Sequence, residues 1–265
     1  MKKIILTLLV ASIALSNVFA AKSLRDLAKK ALSVASGQTE EKPAQVVLTS
    51  ETALYSFFKG TGADLTDEYL PYARVVENSV YTKYKNDPFE WEEQFEKLKN
   101  NFNEKVQAVD LDQEYVVSTS IEFGDYDFEA QGYTISIAEG TYFPLKSVDE
   151  DINGYLSSNA GSDSYFGNAI GLKIQDFEKY NFLAMDKATA KTFLQGRKYS
   201  SGNINKRIMI SLKYKLAAFD SNEYNTFAAT LAQENKIPLV GIIQGEIGVY
   251  DQEDNYRKIG ELTIR

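Results

Sequence analysis

The hydrophobic period of this chain changes near residue 108, and that change limits the folds open to it. Upstream, Trp91, Phe95, Leu98, Phe102 and Val106 recur at spacings of four, three, four and four, which places them on one face of a helix. Downstream, Tyr115, Val117, Thr119, Ile121 and Phe123 alternate with more polar neighbours, as a half-buried strand does. Tyr133, Ile135 and Ile137 resume the alternation, and Ile208, Ile210, Leu212, Tyr214 and Leu216 carry it furthest. Helices first and strands afterwards specify an α+β fold: an N-terminal helical segment packed on a mostly antiparallel β-sheet.

Local signals place the remaining elements. Asp87, Pro88 and Glu90 make an N-cap, a first helical residue and an acidic first turn, so a helix begins there, with its aromatic stripe expected against the sheet. Thr49 or Ser50 caps an earlier helix carrying Leu54, Phe57 and Phe58, with Gly60 as its stop. Residues 64–84 read as two helical pieces, because Pro71 suits a first turn better than a helix interior. Asp186 caps a helix over residues 187–195 that Gly196 closes, and residues 222–235 form another. Residues 239–243, 246–250 and 256–264 are three further strands, the last two joined by a hairpin loop over residues 251–255.

Residues 1–20 are a separate matter. Lys2 and Lys3 precede an apolar run of about twelve residues, shorter than a membrane span of roughly twenty. Val18, Phe19 and Ala20 then present small residues at the positions a signal peptidase reads, so cleavage is expected between Ala20 and Ala21. This predicts a periplasmic or secreted protein with no transmembrane segment after the leader is removed. Residues 21–45 read as an amphipathic helix with a basic face (Lys22, Arg25, Lys29, Lys30) followed by a flexible linker. Residues 46–265 then form a single α+β domain, mainly helical over 46–107 and mainly β over 108–265.

Composition narrows the chemistry. With no cysteine and no histidine, the chain has no Ser-His-Asp triad, no Cys-His pair and no thiolate or imidazole metal site. Its net charge is −8, and loss of Lys2 and Lys3 with the leader makes it −10. Such a charge repels phosphate backbones and argues against nucleic acid. Carboxylates, tyrosines, lysines and serines remain.

The sharpest local pattern is Asp149, Asp151, Asn153 and Gly154, with Ser157 following. Oxygen ligands at positions one, three, five and nine and a glycine at six resemble the start of a calcium loop. Ala160 stands at position twelve, where a bidentate glutamate belongs, so the other reading is an acidic surface loop. No other cofactor is expected. These observations favour a non-enzymatic binding or accessory protein of the cell envelope, its partner a protein or an envelope component. A carboxylate-dependent envelope hydrolase and a calcium-stabilised binding module are the alternatives.

Overall fold

A computed structural model describes residues 46–154, 159–161 and 164–265. The leader, the basic helix and the linker lie outside the described residues.

The helical layer is built as the caps dictate. Helix α1 (Ser50–Thr61) starts where the Thr49 hydroxyl accepts from the Thr52 N–H. It runs past Gly60 and closes at Gly62, whose φ of 64° is the left-handed conformation glycine adopts without strain. Gly60 has a different duty: a Cβ there would sit 2.1 Å from the Phe219 ring. Helix α2 (Tyr69–Val75) carries Pro71 in its first turn, where its missing N–H is not needed, and α3 (Asn78–Tyr84) is the second piece. Helix α4 (Pro88–Ala108) is capped by the Asp87 carboxylate, which accepts from the N–H groups of Phe89 and Glu90.

The α4 stripe divides. Leu98, Phe102 and Val106 are buried, but against helices rather than the sheet. The Phe102 ring stacks on Tyr72 at 4.6 Å and meets Tyr55 at 5.7 Å, Phe58 at 5.9 Å and Phe166 at 5.8 Å. Trp91 and Phe95 are only half-buried, stacked on each other at 5.0 Å with Tyr81 edge-on to Trp91. The reason is length: a helix of 21 residues spans about 31 Å and outruns the short helices beneath it.

The strands are β1 (Tyr115–Asp127), β2 (Gly132–Ile135), β3 (Tyr142–Leu145), β4 (Ile170–Ile174), β5 (Tyr180–Ala184), β6 (Arg207–Leu216), β7 (Ile237–Asp251) and β8 (Arg257–Ile264). They hydrogen-bond in the order β3-β4-β7-β6-β1-β2-β5-β8, and β8 also pairs with β7. Six strands therefore close into a ring, β7-β6-β1-β2-β5-β8, in which every neighbouring pair is antiparallel. Strands β3 and β4 extend it sideways, with β4 parallel to β7.

Strand β7 joins the two parts. Residues 237–241 pair with β4 and residues 247–251 with β8, on one flank, while β6 runs along the other. Gly245, at φ 79°, sits at the register shift opposite Ser211 and Lys213, a bulge that lets the strand bend. That bulge is why the sequence reads as two strands where there is one. The alternating residues Ile208, Ile210, Leu212 and Tyr214 point inward with Phe123, Tyr133, Leu183, Ile247, Val249 and Leu262, all buried. Helix α7 (Asn222–Leu231) covers the opposite face of the β4–β7 extension, Phe227 and Leu231 packing with Val240 and Ala217.

Candidate functional site: a groove between a helix and an open strand flank

Helix α6 (Lys187–Gln195) is fixed by its cap. The Asp186 carboxylate accepts from the N–H groups of Ala188 and Thr189 and from the Thr189 hydroxyl at 2.6 Å, bonds that hold its carboxyl below the usual aspartate range. The helix turns Ala190 and Phe193 onto the end of the strand ring. There Phe193 meets Phe123 at 5.4 Å and Tyr133 at 5.9 Å, and the Tyr133 hydroxyl donates to the Ala190 carbonyl. Burial pushes that hydroxyl up to about 12. Ala188, Thr189 and Thr192 stay exposed.

Facing them is the β7–β8 hairpin. A groove of about 710 Å³ runs between, walled by Ala188, Thr189 and Thr192 on one side and by Asp254, Arg257 and Lys258 on the other. Met185, Phe193 and Ile259 supply its apolar lining. A second hollow of about 490 Å³ shares Met185, Thr189 and Ile259 and continues the groove to Ala130 and Gln131. Both hollows are open to solvent along the surface.

The groove exists because β8 has a partner on only one flank over part of its length. Residues 257–262 pair with β7, but the ladder to β5 covers only residues 262–264. After Leu183 the β5 chain stays with β2, Ala184 opposite Gly132 and the Met185 N–H on the Gln131 carbonyl, and then enters α6. On its other flank β8 shifts register between its partners Val249 and Tyr250, which leaves Ile259 as the extra residue of a bulge at the edge of the groove.

One end of the groove rests on a buried ion pair. Arg197, 2% exposed, directs one guanidinium nitrogen at the Asn205 and Arg207 carbonyls (3.0 and 2.6 Å) and another at the Asp251 carboxylate. Its guanidinium lies over the Phe193 ring at 4.5 Å. Asp251 also accepts from the Glu253 N–H at 2.9 Å. Arg197 Nε is the one buried side-chain polar atom without a partner among the described residues. The other charges of the groove are paired as well: Arg257 with Asp254 at 2.6 Å, Lys258 with Glu261 at 2.5 Å, and Glu253 with the Asn205 amide at 2.5 Å.

The residues singled out by the calcium-loop pattern lie elsewhere. Residues 148–153 form a short helix, α5 (Val148–Asn153), capped by the Ser147 hydroxyl. Asp149 is buried, one carboxylate oxygen accepting from the Asn153 side chain and the other from the Ala160 N–H, both at 3.1 Å. Asn153 also donates to the Val75 carbonyl. Asp151 is exposed, about 200° around the helix from Asp149. Ser157, like the Ala20–Ala21 junction, lies outside the described residues. Among the described residues no three acidic side chains converge as a metal site would need.

Two carboxyls, Glu246 and Glu68, are raised above their ordinary range. Glu246 is raised by neighbouring Glu261 on the outer surface. Glu68 is buried and accepts from the Ser164 hydroxyl at 2.7 Å and the Tyr165 N–H at 3.2 Å. Neither lines the groove. Burial raises the Glu68 carboxyl above its ordinary 4.5, against the pull of those two donors. The folded chain therefore holds this proton more tightly than the unfolded chain does. Its contribution to stability is greatest at low pH and falls as pH rises from 4.5 through the folded value. Urea unfolding of wild type and Glu68→Gln should show the wild-type advantage shrinking between about pH 4 and pH 7; an advantage that grows over that span refutes this.

No curated protein and no solved structure matches the chain. The model of a family described as a domain of unknown function, DUF4852, matches residues 64–196. The match runs from the approach to α2 through the end of α6, so it includes one wall of the groove and stops just before Arg197. The chain belongs to the DUF4852 family.

Proposed function

We propose that the protein is exported to the periplasm or the medium and acts there as a non-enzymatic binding or accessory protein of the cell envelope, with the groove between α6 and β8 as its binding site. The observation that carries this is the state of the groove's charged side chains. Asp251, Asp254 and Glu253 are each held by a cation or an amide, and Arg257 and Lys258 by carboxylates. Groups tied up in this way shape a surface; a carboxylate hydrolase needs two facing carboxylates left available, one to give a proton and one to attack or to activate water. The calcium reading asks Asp149 to release two protein donors first.

The test uses protein recovered from the periplasm or the medium. Its intact mass should place the first residue at Ala21; retention of Met1 overturns export by cleavage. Immobilised wild type should capture a component of envelope extract that Thr192→Trp, which fills the groove from an exposed helix position, captures at least about tenfold less. The two proteins should melt at the same temperature. Equal capture by both removes the groove from the proposal.

A further inference from the structure

Two demands of the fold meet at Asn153 and Gly154. Gly154 closes helix α5 at φ 82° and ψ 174°, a backbone conformation that is essentially glycine's alone. Asn153 is exposed, yet its side-chain amide ties the helix down, donating to the Asp149 carboxylate at 3.1 Å and to the Val75 carbonyl of α2 at 3.4 Å. The outcome is the chain's one Asn-Gly sequence. With no Cβ on the second residue, its main-chain nitrogen is as little shielded from the asparagine side chain as any residue allows. We propose that Asn153 is a self-modification site: it deamidates through a cyclic imide whenever α5 opens, and the product keeps α5 from closing again. This is independent of the groove.

The chemistry needs only water. The Gly154 main-chain nitrogen gives up its proton and attacks Asn153 Cγ. The new C–N bond closes a succinimide ring, the Cγ–Nδ2 bond breaks, and ammonia leaves with the proton. Water then opens the imide on one side to aspartate, or on the other to isoaspartate, whose main chain runs through the former side-chain carbon.

In the closed helix both reacting groups are engaged. The Gly154 N–H donates to the Glu150 carbonyl at 3.0 Å, and Asn153 Nδ2 is held by Asp149 and Val75. Ring closure also requires Asn153 to leave its helical backbone angles. Helix α5 has only six residues, so few bonds hold it and it opens at a lower cost than the domain unfolds. After conversion a carboxylate stands where Asp149 met an amide donor. A hydrogen bond becomes a repulsion between like charges, and the link to the Val75 carbonyl loses its donor. An opening that was reversible is made permanent.

The full chain is aged in mildly alkaline buffer, folded and in urea, then cut after lysine, and the fragment Ser147–Lys173 is read by tandem mass spectrometry. In urea Asn153 should convert ahead of every other asparagine. In the folded chain it should convert measurably but at least about tenfold more slowly, because only the open fraction of α5 reacts. Gly154→Ala should slow the reaction in urea by about tenfold, since a Cβ shields the attacking nitrogen and no fold is present to be strained. Asn153→Asp represents the product. It should melt roughly 3–6 °C below wild type, and below Asn153→Ala, which removes the same bonds without adding a charge. Equal rates in the folded chain and in urea, no conversion in the folded chain, or another asparagine ahead of Asn153 in urea overturns the proposal. So does an unchanged rate for Gly154→Ala in urea, which removes the imide route. Asn153→Asp as stable as Asn153→Ala overturns the consequence for α5.

Discussion

Phe102→Ala should destabilise the domain by about 3–5 kcal/mol, the cost of emptying a core aromatic site. The ring has no exposed surface and touches Tyr55, Phe58, Tyr69, Tyr72 and Phe166, which come from α1, α2 and the turns beside them. None of these can swing into the space without leaving its own neighbours, so the cavity stays. For a domain of this size each kcal/mol is worth about 2–4 °C in Tm, which predicts a drop on the order of 10 °C. Phe95→Ala is the control on the same helix face. Its ring is half-buried and its main partner is Trp91, so about 1–1.5 kcal/mol should be lost. Equal losses at the two positions would show that α4 is not divided as described.

Arg197→Met should cost about 3–5 kcal/mol, because it leaves the Asp251 carboxylate buried with no countercharge. The methionine keeps an unbranched side chain but drops the guanidinium over Phe193 and its bonds to the Asn205 and Arg207 carbonyls. Combining it with Asp251→Leu removes the stranded charge as well, so the double variant should be more stable than Arg197→Met alone. Chemical denaturation of wild type, both single variants and the double variant gives the coupling directly. A double variant that loses the sum of the two single losses would mean the ion pair holds nothing together. The pair joins the end of α6 to the start of the β7–β8 hairpin, so the same variants should loosen the groove.

The elements that came correctly from the sequence share a property: each is specified within a few residues. Thr49, Asp87 and Asp186 cap helices because their side chains reach N–H groups two or three positions ahead. The change of period near residue 108 marks the real boundary between helices and strands, because burying one face imposes 3.6 on a helix and 2 on a strand. The departures are equally specific. Strands β3, β4 and β5 escaped because each spans only four or five residues, and Pro144 and Gly171 interrupt the first two. Helix α5 escaped because Asp149, Asp151 and Asn153 suit a metal loop as well as a capped turn, and burial of Asp149 against the Ala160 N–H is a tertiary event.

The sequence by itself determined the class of fold, the order of its parts, most helix starts and the exclusion of cysteine and histidine chemistry, since these depend on neighbouring residues and on composition alone. Only the tertiary structure decided that six strands close into a ring, that α4 faces helices, and that β5 and β8 part at the groove. Ring closure depends on registers between residues such as Ser118 and Ser211, 93 positions apart, and the groove on where β5 parts from β8. No local pattern encodes where such a pairing ends; it follows from the path β5 takes when it leaves to form α6.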